Sequence, residues 1–258
     1  MIKKLLLVGD PHASPDTDNR RFDWLGRMIL EEEPDVVLCI GDMADLNSLS
    51  SYDKGKKSAE LRRYRNDVNA VCDALARIDA PLKAHNESRK NIRKAQRKAP
   101  RKIMLEGNHE HRIIRAVNMA PELEGTLSIA DLKYQEYGWE VQTFKQPFEL
   151  EGVWFNHYFP SGVKGEAISG FNIGANIVQK NMVSSVCGHS HLWDHAIRNR
   201  PDGTKVIGLC CGCYLEAPTY DDATGNLWWS GLSILHDVHE GNFDIQQLSI
   251  DRVRQLYG

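Results

Sequence analysis

The sequence predicts an α/β fold with a layered core. Three observations predict it. Short Val-, Ile- and Leu-rich runs alternate with amphipathic stretches through the first half of the chain. Those runs are apolar at consecutive positions, as in strands covered on both faces. The second half is richer in strand-like segments joined by tight turns, and 258 residues suffice for one large domain with a full core.

KKLLLVGD, residues 3–10, is the first strand and ends in Gly9-Asp10. Phe22, Leu25, Met28 and Ile29 recur near helical spacing within 18–32, so a helix follows, and Pro34 ends it. DVVLCIGD (35–42) is a second buried strand and RKIMLEGNHE (101–110) contains a third. GWEVQTF, PFELEGVWFNHY and SSVCGHSH supply further strands, with a helix over about 166–180. Asp202-Gly203 predicts one hairpin, and LSILHDV and FDIQQLSI predict another around His239-Glu240-Gly241-Asn242. No repeat or interdomain linker divides the chain, so residues 1–258 read as a single domain.

Residues 47–99 interrupt the alternation as a basic helical insertion. Tyr64, Val68, Val71, Cys72, Leu75 and Ile78 form an apolar stripe, which predicts a helix over about 60–78. Asp79-Ala80-Pro81 is expected to break it before a second helix over about 83–98. Arg89-Lys90, Arg93-Lys94 and Arg97-Lys98 would then lie along one side of that second helix. From Lys54 to Lys102 there are 16 Lys/Arg against five Asp/Glu, although the whole chain carries a net charge of only −3. The insertion joins the second strand to the third, so it is expected to start and return near one active face.

The first apolar run is too short for a signal peptide, and no later stretch approaches the ~18 apolar residues of a membrane span. A cytoplasmic protein with no membrane partner is expected. The six cysteines lie mostly in apolar strand-like runs, without the spacing of a disulfide scaffold. Cys210, Cys211 and Cys213 resemble a thiolate cluster only superficially, because VIGLCCGCYL reads as a buried strand where Cys acts as a small hydrophobe.

Chemistry concentrates at strand ends. Gly9-Asp10-Pro11-His12, Gly41-Asp42-Met43-Ala44-Asp45 and Gly107-Asn108-His109-Glu110 each follow a strand; Asn156-His157 and Gly188-His189-Ser190-His191 come later. Ligands of open α/β sheets gather beyond the carboxyl ends of strands, so these five sets can share one crevice. Carboxylates, an amide and imidazoles together suit Mn, Fe or Zn better than Ca or Mg. The set is too large for one tetrahedral ion and right for a pair, which can stabilise both oxygens of a phosphoryl displacement.

Asp10-x-His12, Gly41-Asp42-x-x-Asp45, Gly107-Asn108-His109-Glu110, His157 and Gly188-His189-x-His191 together resemble the five ordered signatures of the calcineurin-like metallophosphoesterases, which include bacterial and phage-encoded members. The resemblance implies a two-sheet αββα sandwich with a dinuclear centre at its strand ends. It implies two divalent ions, Mn²⁺ first, with Fe, Zn or Ni compatible. One would be held by Asp10, His12 and His191, the other by Asn108, His157 and His189, with Asp42 bridging. His109 resembles the family's general acid, oriented and kept protonated by Asp45. The nucleophile would be a hydroxide bridging the metals. Asn108 would also touch a substrate oxygen. Arg112 either clamps a phosphate or is a surface residue, and Glu110 and His111 take no role.

The protein phosphatases of that superfamily place Arg-Gly after the second Asp, whereas Asp45 is followed by Leu46-Asn47. That weighs against a protein phosphatase, and the presence of His109, a proton donor of the kind a poor alkoxide leaving group needs, permits diester cleavage. The Lys/Arg stripe suggests a phosphate backbone, so the expected substrate is nucleic acid, with Arg89, Lys90, Arg93, Lys94, Arg97 and Lys98 as its contacts and Tyr52 and Tyr64 as stacking surfaces. The alternatives are a small-nucleotide phosphatase or cyclic or dinucleotide phosphodiesterase with the insertion as lid, a homo-oligomer joined through 47–99, and a non-catalytic metal-bound module.

Overall fold

The computed structural model describes residues 1–91, 98–217 and 225–258. The first half runs β1 (Ile2–Val8), α1 (Arg20–Glu32), β2 (Val36–Cys39), α2 (Tyr64–Ser88), β3 (Arg101–Leu105), α3 (His111–Met119) and β4 (Trp139–Gln142). The second half adds β5 (Phe148–Leu150), β6 (Val153–Phe155), a short β7 and β8 (Pro160–Ser161, Glu166–Ala167) and α4 (Ile173–Asn181). It closes with β9 (Ser185–Cys187), β10 (Trp193–Asn199), β11 (Lys205–Cys211), β12 (Gly231–His239), β13 (Asn242–Ser249) and α5 (Ile250–Tyr257). One sheet has the order β13-β12-β1-β2-β3-β4 and the other β10-β11-β9-β6-β5.

The period-two geometry of a strand explains the layering. In β1, Leu5 and Leu7 face the second sheet and meet Val153, Phe155, Val186 and Leu209. Leu6 and Val8 point the other way, onto Phe22, Leu25 and Met28 of α1 and Val71 and Leu75 of α2. On the outer face of the second sheet, Ile173 and Ile177 of α4 cover Cys187 and Cys210. The result is the αββα sandwich, with each buried Leu or Ile contributing roughly 1.5–3 kcal/mol. All six cysteines are free; Cys210 and Cys211 are buried in β11, and Cys213 is buried just beyond it.

The insertion differs from expectation in three ways. First, α2 does not break at Asp79-Ala80-Pro81 but runs 25 residues through Pro81. Its stripe packs continuously on α1, where a Cβ on Gly26 would meet Ile78 O at 2.6 Å and Pro81 Cδ at 3.1 Å. That stripe is therefore already covered within the chain. Second, β2 and β3 are parallel, so the connection leaves β2 at its carboxyl end and must enter β3 at its amino end. It starts beside the crevice but does not return there. Third, Arg89 and Lys90 follow the end of α2, and Lys98 pairs with Glu33 (2.6 Å) and Leu30 O (2.8 Å) just before β2. Arg93, Lys94 and Arg97 lie outside the described residues.

Smaller differences follow from local chemistry. The helix expected over 166–180 begins only at Ile173, after Gly170 at φ 98. α5 carries no early sequence cue beyond Ser249, whose hydroxyl caps it by accepting from Arg252 N. Tyr64 is not a stacking surface, because its hydroxyl donates to Asp131 (2.8 Å) and its ring packs on the core. No helix among the described residues is long and apolar enough to cross a membrane.

Candidate metal centre

β1, β2 and β3 are parallel neighbours in one sheet, and β6 and β9 are parallel neighbours in the other. All five carboxyl ends open on the same crevice, and each is followed at once by its polar residues. The turns are tight. Asp10 (φ 27), His12 (φ 44), Asp42 (φ 51), His189 (φ 69) and His191 (φ 59) all adopt the left-handed conformation. For non-glycine residues this costs roughly 1–2 kcal/mol each and persists only where the surroundings enforce it. Gly107 is needed for space rather than for a turn: a Cβ there would sit 2.0 Å from Asp42 Oδ1. Gly188 likewise lies under Asp10, with a Cβ reaching Oδ1 at 2.7 Å.

The side chains form two groups joined by one carboxylate. Asn108 Oδ1 is 2.8 Å from both His157 Nε2 and His189 Nδ1, which are 3.2 Å from each other. On the other side, His12 Nε2 is 3.1 Å from His191 Nε2, and Asp10 Oδ2 lies 3.6 Å from the latter. Asp42 Oδ2 stands between them, 3.3 Å from His157 Nε2 and 3.9 Å from His12 Nε2. The structure thus brings together all seven residues expected as ligands. His12, Asp45 and His109 also converge, offering one ligand atom each within 4.8 Å of one another, as do Asp42, His157 and His189.

This donor set fits divalent cations. Imidazole nitrogens facing one another at 3.1–3.2 Å need a positive centre between them, a proton or a metal. Asp10 Oδ1 and His191 Nδ1 are buried with no hydrogen-bond partner among the described residues. Burial pushes the Asp10 carboxyl up to about 7, although His157 pulls it down. Burial also opposes charge on Asp42, but His157 and His109 outweigh it and hold that carboxyl well below the ordinary range. Burial works against His157 too, yet Asp42 raises its imidazole to about 9. His189 is lowered to about 4 by burial and by His157, and His191 is lowered by burial and by His12. Without metal, His157 therefore holds a proton more tightly than an ordinary imidazole, while His189 and His191 favour their neutral forms.

His109 sits beside the seven. Its backbone N–H donates to Asp42 Oδ1 (2.9 Å), and its Nδ1 lies 2.8 Å from Asp45 O and 3.0 Å from Asp45 Oδ1. Asp45 also contacts His12 Nδ1 at 3.2 Å and accepts from Asn47 Nδ2 at 2.5 Å. Burial opposes ionisation of Asp45, but its bonds to His109 and His12 depress its carboxyl strongly.

Arg112 was expected on a phosphate or on the surface. Instead it is buried and donates to Asp45 O (3.0 Å), Leu46 O (3.4 Å) and His109 Nε2 (3.0 Å). Three residues on from His109 at the start of a helix, it shares that residue's face. Because guanidinium only donates, the Arg112 contact engages His109 Nε2 as an acceptor, while Nδ1 faces Asp45.

Glu110, left without a role by sequence, is fully buried. Its carboxylate accepts from the backbone N–H of Asp42 (3.1 Å), Ala44 (2.9 Å) and Gly107 (2.8 Å) and from Tyr134 Oη (2.9 Å). It ties the loop after β2 to the loop after β3. The available signal was a carboxylate three residues past Gly107 at a helix start, where backbone N–H groups are free. His111 is exposed, its ring 5.1 Å from that of Phe144.

This architecture, with its polar crevice at the strand ends, is that of a metal-dependent phosphoester hydrolase. The calcineurin-like phosphoesterase family profile matches residues 3–244, and the chain belongs to that family. It is similar to the Gene 54 protein of Mycobacterium phage D29, 24% identical over 249 residues covering 91% of this chain and 89% of that one. Among solved structures, TT1561 of Thermus thermophilus aligns over 96% of this chain and 99% of its own, at 10% identity and a TM-score of 0.35.

Proposed function

We propose that this phosphoesterase is a phosphodiesterase acting on nucleotide-type diesters, with His109 as the group that protonates the leaving oxygen. The observation that carries the reading is the placement of His109. It lies at the crevice, oriented by Asp45, yet belongs to neither set of assigned ligands. An alkoxide is a poor leaving group and needs a proton from a positioned side chain, which contributes typically 10²–10⁴-fold.

Asp10, His12 and His191 would hold one ion, Asn108, His157 and His189 the other, and Asp42 would touch both. When bound, two such ions neutralise charge on the phosphoryl oxygens and acidify a water for attack. Mn²⁺ is the first choice because the donors mix carboxylate, amide and imidazole. Arg112 and the Asn108 amide N–H would donate to non-bridging phosphate oxygens; in turning from its present partners to one, Arg112 would leave His109 Nε2 available for a proton. Asp45 holds the ring so that Nε2 keeps its direction.

The aromatic rim favours a nucleotide. Trp228 stands edge-on to His191 with ring centroids 4.2 Å apart, and Tyr158 lies 4.9 Å from His189. Such rings suit base stacking. The nucleic-acid reading keeps the basic segment as its support, but Arg89, Lys90 and Lys98 lie at the far end of a helix about 37 Å long.

The test is to load the metal-stripped protein with Mn²⁺ and compare bis(p-nitrophenyl) phosphate with p-nitrophenyl phosphate, with His109→Ala alongside. Diester turnover that drops in the variant supports the reading. Monoester turnover alone sinks it and promotes a nucleotide phosphatase. A steep loss of oligonucleotide affinity with salt would move the substrate to nucleic acid.

A further inference from the structure

Arg21, on α1, is not part of the chemistry described so far, yet it is among the largest fully buried side chains in the protein, at 1% exposure. Among the described residues no carboxylate pairs with it. Its Nη2 donates to Pro11 O (2.7 Å) and His12 O (3.4 Å), its Nε to Tyr214 O (3.1 Å) and its Nη1 to Asp18 O (2.5 Å). The guanidinium also lies 4.4 Å from the centroid of the Phe22 ring. Burial opposes its charge, and Glu216 and Asp18 favour it only from beyond ion-pair distance; a buried cation with no ion pair is costly, and a methionine would fill the space without that cost. What the guanidinium supplies instead is a rigid fork that fixes several carbonyls at once.

Those carbonyls belong to the loop that bears Asp10 and His12 and to the segment that follows β11. Both residues of that loop are in the left-handed conformation, and Pro11 between them has no N–H with which to anchor itself. On one side the loop is pinned by the backbone, through His12 N to Asp42 O (2.9 Å) and Ala13 N to Met43 O (2.8 Å). Arg21 anchors the carbonyls of Pro11 and His12. It also ties them to Tyr214, whose hydroxyl donates back to Arg21 O (2.6 Å) and whose N–H reaches Asp10 O (3.4 Å). Among the described residues no guanidinium grips the carbonyls of Asn108, His157 or His189 in this way.

We infer that Arg21 is a positioning residue for one ion of the pair, the one assigned to Asp10, His12 and His191. By clamping the carbonyls of Pro11, His12 and Tyr214 it holds His12 and Asp10 in ligating geometry. The inference rests on the two-ion assignment but not on the choice of substrate.

The experiment titrates Mn²⁺ into metal-stripped wild-type protein, Arg21→Lys and Arg21→Gln. Bound ions are counted by calorimetry and elemental analysis, and the electron paramagnetic resonance spectrum reports whether two manganese ions are coupled. Lysine keeps the charge and removes the fork. The expected result is two coupled ions in wild type. In both variants one ion should bind as before and the other roughly 10–100-fold more weakly, as loss of an outer partner of metal ligands costs. The coupled spectrum should give way to that of isolated manganese.

Two ions at wild-type affinity in a folded variant, even one with a lowered melting temperature, would reduce Arg21 to a stabilising role and overturn the inference. So would equal weakening of both ions, or failure of both variants to fold. Fewer than two ions in wild type would overturn the assignment itself and the inference with it. A protein with two coupled ions that leaves diesters intact would sink the diesterase reading and leave this inference standing.

Discussion

The two ends of the same parallel strands are built on opposite principles. At the carboxyl ends of β1, β2 and β3, charged groups are buried, close together and mutually neutralising, and the backbone is held in left-handed turns. At the amino ends, Arg89, Lys90 and Lys98 sit on a turn and a helix end, with Lys90 and Lys98 in ion pairs to Glu87 and Glu33. Exposed pairs of that kind contribute little, with a median near ~0–1 kcal/mol. Charge density alone does not mark a reactive end; convergence of few charges in a dry, strained setting does.

The largest expected effect comes from the carboxylate that joins both groups. Asp42→Asn should cost at least the ~10²–10³ in kcat that loss of one preorganised electrostatic group costs, together with a bound ion. Steady-state rates paired with metal counting check this. His109→Ala comes next, lowering diester turnover by roughly 10²–10⁴ while both ions remain. The deficit should grow as the leaving group worsens, so a nucleotide diester should suffer more than a nitrophenyl one. An equal loss on both would contradict a proton-donor role.

Glu110→Gln should act through the loops. It leaves N–H groups of Asp42, Ala44 and Gly107 sharing fewer acceptor sites, at about 1–3 kcal/mol for a group left unsatisfied. Thermal unfolding should register a drop of several degrees, with weaker Mn²⁺ binding beside it.

A pH effect of similar or smaller size is expected in the metal-free protein. His157 is raised from 6.5 to about 9, so the folded state holds its proton more tightly than the unfolded state. Its stabilising contribution is therefore complete below pH 6.5 and is lost as pH rises through about 9. Melting temperature in chelator should fall between pH 7 and 9. With metals bound, His157 is already deprotonated, and the decline should vanish. The smallest effect belongs to the other end: Arg89→Glu with Lys90→Glu should change turnover of small diesters less than about twofold, as ordinary surface changes do. A large loss there would restore the basic segment to the substrate path.

Much of the site was legible because its residues are each local to a strand end. Gly-Asp, Gly-Asn-His and Gly-His-x-His announce a turn and a polar group within a few positions, whatever lies elsewhere. The residues that hold them were not legible in the same way. Arg112 looked like either a clamp or a surface residue, and Glu110 looked idle, because their partners are backbone groups whose positions only folding sets. Pro81 read as a break because intrinsic propensity counts the lost hydrogen bond. Packing of α2 along α1 at Gly26 outweighed it.

By itself the sequence determined the strand runs, the order of polar clusters and the chemical class those clusters define, since each depends on contacts between near neighbours in the chain. Only the tertiary structure decided that Asp42 stands between two groups of ligands, and that Glu110, Arg112 and Arg21 grip their loops. It also decided that Arg89, Lys90 and Lys98 lie at the end opposite the crevice. A parallel crossover must enter its next strand at the amino end, and that constraint appears only when β2 and β3 are known to run side by side in the same direction.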